Sequence, residues 1–292
     1  MENKICLITG ATSGIGYITA RELAAKGAKV VIHGRSKDKV DSAREAISEL
    51  TGAGNTPDIL LGDFSSLDDV RKAAADFNKK YDRLDVLINN AGLILGRERQ
   101  TSVDGYELTI AINHLAPFLF TGLVFDKLRS SSQARIINVS SEAHRAASPD
   151  FEDFHMEQSY SSFKAYGNSK LYNIMFTEEL AERMKPYSNI ATYSLHPGTV
   201  ATNFSESAGG LINFGFKLIR PFISSSEQGA QTSIYLASEE HIPAYSGAYF
   251  VSKKPAEVKH KFFTPANNRR LWELSEEFTG TSFLTPEQVK FQ

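Results

Sequence analysis

The chain has 292 residues, 41% hydrophobic and 23% charged, which suits a folded protein with a sizeable core. Its net charge of −2, with acids and bases mixed along the chain, excludes a basic stripe for nucleic acid or a basic amphipathic face for a membrane surface. One cysteine, Cys6, cannot form an internal disulfide, and no window approaches the roughly 20 apolar residues that span a bilayer.

The start, MENKICLITG, is too short and too charged for a signal peptide and runs straight into a strand at 4–9, so a cytoplasmic protein is expected. TGATSGIG follows, with Gly10, Gly14 and Gly16 spaced G-x3-G-x-G around Thr12, Ser13 and Ile15. Glycines let such a turn approach a pyrophosphate, which then meets the free N–H groups of the helix at 15–26. Lying between strand and helix at the head of the chain, the turn reads as dinucleotide-binding. The strand at 28–33 should then end near an acid that grips the 2′-hydroxyl of NAD. The chain has Gly34 and Arg35 there, with Lys37 and Lys39 behind. Arg35 can fork a 2′-phosphate, so NADP is favoured over NAD.

Further strands are expected at 58–63, 85–90, 135–140, 190–195 and 247–251. Helices are expected at 37–50, 67–80, 103–129, 161–185 and 227–238. The strands are unbroken apolar runs, the pattern of a parallel sheet covered on both faces. The fold class is therefore α/β: a single doubly wound Rossmann-type domain over 1–292 with a central, mostly parallel seven-stranded sheet. Two stretches break the rhythm: the insertion 142–160 and the Gly- and Ser-rich apolar segment 199–226. Both follow carboxyl ends of strands, where open sheets bind ligands. The segment 199–226 carries Phe204, Phe214, Phe216 and Phe222, either as a lid over a hydrophobic substrate or as packing of a short helix. The extension 252–292 ends in an amphipathic helix near RRLWELSEEF. It either covers the cleft or contacts another copy of the chain in a homo-oligomer.

Within 161–185, AYGNSK places Tyr166 and Lys170 four apart on one helical face. A free phenol titrates near about 10, and an adjacent ammonium lowers that value. A tuned tyrosine can protonate a carbonyl oxygen or deprotonate an alcohol. Ser140 and Ser141 end the preceding strand, where a hydroxyl can donate to the same oxygen. His144 follows closely, placed either against substrate or in a structural role. Seven histidines without metal-ligand spacing give no expectation of a catalytic metal.

Taken in order, TGATSGIG, GDFSS, NNAG (89–92), NH (113–114), VSS (139–141), YGNSK and HPGTVAT (196–202) resemble the short-chain dehydrogenase/reductases over nearly the whole chain. INHLAPF, NVSSEAH and SSSEQGAQTSIYLA are most similar to the retinol-dehydrogenase-like branch. The resemblance implies Tyr166 as general acid/base, Lys170 lowering its pKa and binding the nicotinamide ribose, and Ser141 orienting the substrate oxygen, with Ser140 the alternative. Asn113 would kink its helix and hold a water linked to Lys170. Asp63 and Phe64 would flank the adenine, and Asn90, Ala91 and Gly92 would line the cofactor cleft. Pro197, Gly198, Val200 and Thr202 would hold the nicotinamide amide. The expected activity is NADP(H)-dependent interconversion of a carbonyl and an alcohol on a small hydrophobic molecule. The alternative is an NADPH-binding redox sensor without turnover; retention of Ser141, Tyr166 and Lys170 together favours the enzyme.

Overall fold

The computed structural model describes residues 1–52, 55–198, 226–242 and 244–284. Strands buried on both faces send alternate side chains to opposite layers. In β1 (Ile5–Ile8), Ile5 and Leu7 join one core cluster and Cys6 and Ile8 the other. β2 (Lys29–Gly34), β3 (Asp58–Leu61), β4 (Val86–Asn89), β5 (Ala134–Val139), β6 (Ile190–His196) and β7 (Tyr249–Val251) run parallel to it. The sheet order is β3-β2-β1-β4-β5-β6-β7-β8 among the described residues. Strand order reverses between β1 and β4, which opens a crevice at their carboxyl ends.

The eighth strand, β8 (Lys254–Ala256), is the difference from the expected seven. It turns back antiparallel on β7 through Ser252 and Lys253, with φ of +49° and +65°. Hairpin turns of that shape usually carry Asn or Gly, and the strand itself holds Pro255, which only an edge tolerates. Neither feature reads as a strand in the sequence.

One layer holds α1 (Gly14–Ala25), α2 (Lys37–Thr51) and α8 (Ser226–Ser238). The other holds α3 (Leu67–Lys80) and α7 (Ser162–Arg183) with the segment expected as one helix at 103–129. That segment is broken. It starts late, as α4 (Leu108–Ile110), because Gly105 turns with φ +88° and Thr101 bridges to Glu107. A π-helical turn, Ala111–Leu115, follows, then α5 (Ala116–Leu123) and α6 (Phe125–Arg129). Pro117 has no N–H, so the regular bond to the Asn113 carbonyl cannot form, and the chain widens there instead.

The described part of the C-terminal extension, up to residue 284, packs inside the domain. α9 (Pro265–Thr279) lies along α7, with Trp272 only 1% exposed and its ring 5.0 Å from Phe118 and 5.8 Å from Phe176. Its end meets the insertion, where Phe278 touches His155 and Phe154. Among the described residues no helix is long and apolar enough to cross a membrane.

Candidate active site

The glycine turn is built against the loop after β4. Thr9, at the end of β1, accepts the N–H groups of Asn90 and Ala91 on its hydroxyl, both at 3.0 Å. The Asn90 amide donates back to the carbonyls of Thr9 (2.8 Å) and Gly10 (3.1 Å). These contacts leave no room for side chains. A Cβ on Gly10, where φ is +63°, would stand 2.8 Å from the Ala91 Cα, and one on Gly16 would stand 2.4 Å from the Asn90 amide. Ser13 begins α1 without a side-chain capping bond, and no acid sits in the first turn of that helix. The helix therefore keeps its positive end toward the crevice, which fits a pyrophosphate. Thr12, Ser13, Tyr17, Lys39 and Ser42 line a groove between α1 and α2. Arg35 is exposed at the end of β2, while Lys37 pairs with Asp41.

Asp63 closes the loop after β3 by accepting the Ser65 N–H at 2.9 Å. Phe64, expected beside the adenine, turns its side chain inward. Its side chain is 4% exposed and packs on His33 and Phe120, so only its backbone can border an adenine.

Between β5 and α7 the expected serine, tyrosine and lysine come together. Ser140 is buried and donates to the Lys170 carbonyl at 2.7 Å, which commits it to the helix backbone. Ser141 is hydrogen-bonded to the Tyr166 phenol and caps the 3-10 turn Glu142–Ala146 by accepting the Ala143 N–H. The Lys170 ammonium is 5.6 Å from the Tyr166 ring centre and donates to the Val139 carbonyl at 3.0 Å. Burial holds Lys170 down to about 8. Burial also pushes Tyr166 up to about 12, against the opposing pull of the Ser141 bond. The sequence expectation was the reverse, a phenol made acidic by the ammonium. Desolvation of the ring sets the direction, while the ammonium is drawn away toward the Val139 carbonyl.

Asn113 sits in the π turn, fully buried. Its Oδ1 accepts the Leu93 N–H (2.8 Å), and its Nδ2 donates to the Leu93 carbonyl (2.9 Å) and to Ser169 (3.0 Å). Gly92 is thereby held so close that a Cβ would lie 3.1 Å from Asn113 Oδ1 and 3.4 Å from Lys170 Nζ. Of the two places the sequence allowed it, against substrate or in a structural role, His144 takes the structural one. It is 1% exposed, its Nδ1–H donates to the Ser141 carbonyl at 2.7 Å, and its ring meets Tyr249 edge-on. It braces Ser141. Gly198 turns with φ +89° after Pro197. Val200, Thr202 and Phe204, and the rest of the expected substrate loop up to residue 225, lie outside the described residues.

A glycine turn at the switch point with a Ser–Tyr–Lys cluster across the crevice matches what comparison finds. The family model for short chain dehydrogenases matches residues 4–209. The chain belongs to the short-chain dehydrogenase family. It is thus an oxidoreductase of alcohol and carbonyl groups in a family that binds a nicotinamide cofactor. This dehydrogenase is 37% identical to retinol dehydrogenase 11 of Mus musculus over 280 residues, 96% of this chain and 87% of the relative. It is also 37% identical to retinol dehydrogenase 12 of Homo sapiens over 282 residues, with the same coverage. A crystal structure of an uncharacterized protein from Mycobacterium paratuberculosis superposes with a TM-score of 0.78 at 30% identity, covering 97% of this chain and 95% of that one. The fold is shared by a short chain dehydrogenase from Shigella flexneri, with a TM-score of 0.68 at 21% identity, covering 89% of this chain and 95% of that one.

The dehydrogenase also uses residues to which the sequence motifs assign no role of their own. Thr9 joins the glycine turn to the β4 loop. His33 bonds to Gly10 and Gly62. His196 accepts the Glu142 N–H at 3.3 Å, while Tyr249 donates to the Glu142 carboxylate, so the turn carrying Ser141 is braced from β6 and β7. One signal for His33 was available: a polar residue closing the apolar strand VVIHG must find buried partners.

Proposed function

We propose that the chain is an NADP(H)-dependent carbonyl reductase and alcohol dehydrogenase for a small hydrophobic molecule, acting through Ser141, Tyr166 and Lys170. The carrying observation is the Ser141–Tyr166 hydrogen bond with Lys170 beneath it, across the crevice from the glycine turn. A bound reduced nicotinamide supplies the hydride that the carbonyl carbon needs. The protein supplies the rest. Tyr166 keeps its proton throughout the neutral range and can deliver it to the carbonyl oxygen, while Ser141 can stabilise charge growing on that oxygen. The Lys170 ammonium then faces the phenolate left behind and favours its transient charge. Asn113, clasping Leu93 and Ser169, holds Gly92 and α7 in register around the lysine.

NADP is favoured over NAD because Arg35 stands where an acid would grip the ribose hydroxyl of NAD. A hydrophobic substrate is supported by the relatives, which are retinol dehydrogenases, and by Phe163, 54% exposed and one helical turn before Tyr166. The test is to follow the reduced-nicotinamide absorbance with NADPH and NADH in parallel. The panel runs from retinaldehyde and aromatic or medium-chain aldehydes to small polar carbonyls. Turnover with NADPH on the apolar members is expected, and Tyr166→Phe should abolish it while still binding NADPH. Preference for NADH, or for the polar members, would overturn that part of the reading. NADPH binding with no turnover on any member would favour a sensor.

A further inference from the structure

We propose that His33 is a positioning residue for the adenosine half of the cofactor, a buried imidazole that locks the glycine turn, the end of β2 and the loop after β3 into one surface. This rests on the NADP(H) reading above. The glycine turn, Arg35 and the Asp63–Phe64 segment belong to three adjacent strands, β1, β2 and β3. An adenosine phosphate has to meet all three at once. Past the strand ends the backbone pairing thins to one bond on each side of β2, so a side-chain tie adds to what places them.

His33 provides it. The ring is 3% exposed at the end of β2. The Gly10 N–H, in the glycine turn, donates to Nδ1 at 3.4 Å. On the other side Nε2 lies 3.1 Å from the Gly62 carbonyl. A carbonyl only accepts, so Nε2 carries the hydrogen and Nδ1 is a bare acceptor. Both bonds can exist together only in this neutral form, since a second proton would set Nδ1–H against the Gly10 N–H. Burial holds the ring down to about 4, so the neutral form persists at physiological pH. The ring face packs 4.2 Å from that of Phe64, which fixes the backbone beside Asp63. Backbone bonds complete the tie: Ala11 N–H donates to the His33 carbonyl at 2.9 Å, and Gly62 N–H donates to the Gly34 carbonyl at 3.3 Å. The imidazole itself is enclosed, so it acts through these segments and touches no nucleotide.

The experiment uses the full chain as wild type, His33→Leu, His33→Asn and His33→Gln, each checked by thermal melting. NADPH is titrated by fluorescence; adenosine 2′,5′-bisphosphate and nicotinamide mononucleotide are then titrated as separate halves. Leucine fills the space and removes both bonds. Asparagine keeps an acceptor for Gly10, and glutamine keeps a donor for Gly62. In His33→Leu the Kd for NADPH and for the bisphosphate should rise about tenfold, the effect of roughly one lost polar tie. The mononucleotide should bind as before, and kcat at saturating NADPH should move less than about twofold. Asparagine and glutamine should fall between leucine and wild type. A folded His33→Leu with wild-type Kd for the bisphosphate, or with kcat lost at unchanged Kd, overturns the inference. If His33→Leu does not fold, the other two decide: graded weakening supports the role, and wild-type affinity in both rejects it. Failure of the wild type to bind either NADPH or the bisphosphate would instead overturn the cofactor reading beneath it.

Discussion

Ser140 and Ser141 are adjacent and chemically identical, yet the backbone sends them to different tasks. Ser140 is turned into the protein and bonds the Lys170 carbonyl, whereas Ser141 reaches the Tyr166 phenol. Ser141→Ala should lower kcat by on the order of 100-fold, the usual effect of removing one donor to a developing oxyanion. Ser140→Ala should leave kcat close to wild type and cost about 1 kcal/mol of stability for one buried hydrogen bond. Steady-state kinetics with urea unfolding on both variants separates the roles, and equal kinetic losses would show the assignment to be wrong. Lys170 and Tyr166 make a second prediction at this scale. Tyr166 is protonated up to about pH 12, so it cannot be the group that titrates near neutrality. Lys170, held down to about 8, can be. Its positive charge is present below that value and lost above it, so the carbonyl-reduction rate should fall as pH rises through about 8. Lys170→Arg, which keeps a charge that does not titrate in this range, should remove the inflection whatever it does to the rate. A persisting inflection would assign it to another group.

The elements explain why a site made from strand ends also needs the C-terminal helix. α7 carries Tyr166 and Lys170 on one side, while α9 covers another. Trp272 enters the aromatic core formed by Phe118, Phe176 and Phe283, and the Arg183 guanidinium lies 4.4 Å over its ring. The Ser275 hydroxyl donates to the Leu271 carbonyl, so His114 Nε2–H donates to Ser275, which ties α9 to the π turn beside Asn113. Tyr106 and Arg71 hold the helix end by donating to the carbonyls of Phe278 and Thr279. α9 is therefore an integral part of the domain. Trp272→Ala should cost about 3–5 kcal/mol, as for other large aromatic truncations in cores. For a chain of this size that lowers the melting temperature by on the order of 10 °C. The insertion 142–160 leans on Phe278, so turnover should weaken together with stability. An unshifted melting curve would mean that α9 packs loosely.

Across the whole molecule, what the sequence discloses depends on the range of the interaction. The seven parallel strands were legible because each is an unbroken apolar run, and Tyr166 with Lys170 because a helix alone makes neighbours of residues four apart. β8 was hidden because Pro255 and the Ser252–Lys253 turn obey no common hairpin pattern. The break at Asn113, which the resemblance implied as a kink, does not follow from the spacing alone, because a proline shows where a bond is lost but not how the chain rearranges. The Thr9–Asn90 and Asn113–Leu93 clasps and the packing of His144 on Tyr249 depend on segments that meet only after the sheet forms. Burial also reversed the expected direction for Tyr166, because periodicity carries no measure of desolvation.

That same desolvation gives the molecule a common response to acid. Burial holds His33 and His155 down to about 4, and His114 down to about 3. Asp63 near His33 opposes its shift; near His155, Arg99 reinforces the shift and Asp153 opposes it, and burial still dominates at both rings. In the unfolded chain each ring titrates near about 6.5. The sign follows: above about 6.5 both states are neutral and full stability is present. Below it the unfolded chain binds protons that the native rings refuse, so stability is lost as pH falls from about 6.5 toward 4, by at most about 1.4 kcal/mol per pH unit for each ring. Asp58 and Glu142, held below their ordinary range in the native state, lose their contribution only at lower pH. Glu107 and Glu179, raised by burial, act in the opposite sense through smaller displacements. Urea unfolding at steps between about pH 7 and 5 should therefore show a falling midpoint before the carboxylates begin to count. In His33→Gln, which cannot take up that proton, the slope should shrink by close to one ring's share. A midpoint that stays level over this range would mean the histidines take up protons in the folded state, contrary to their enclosure.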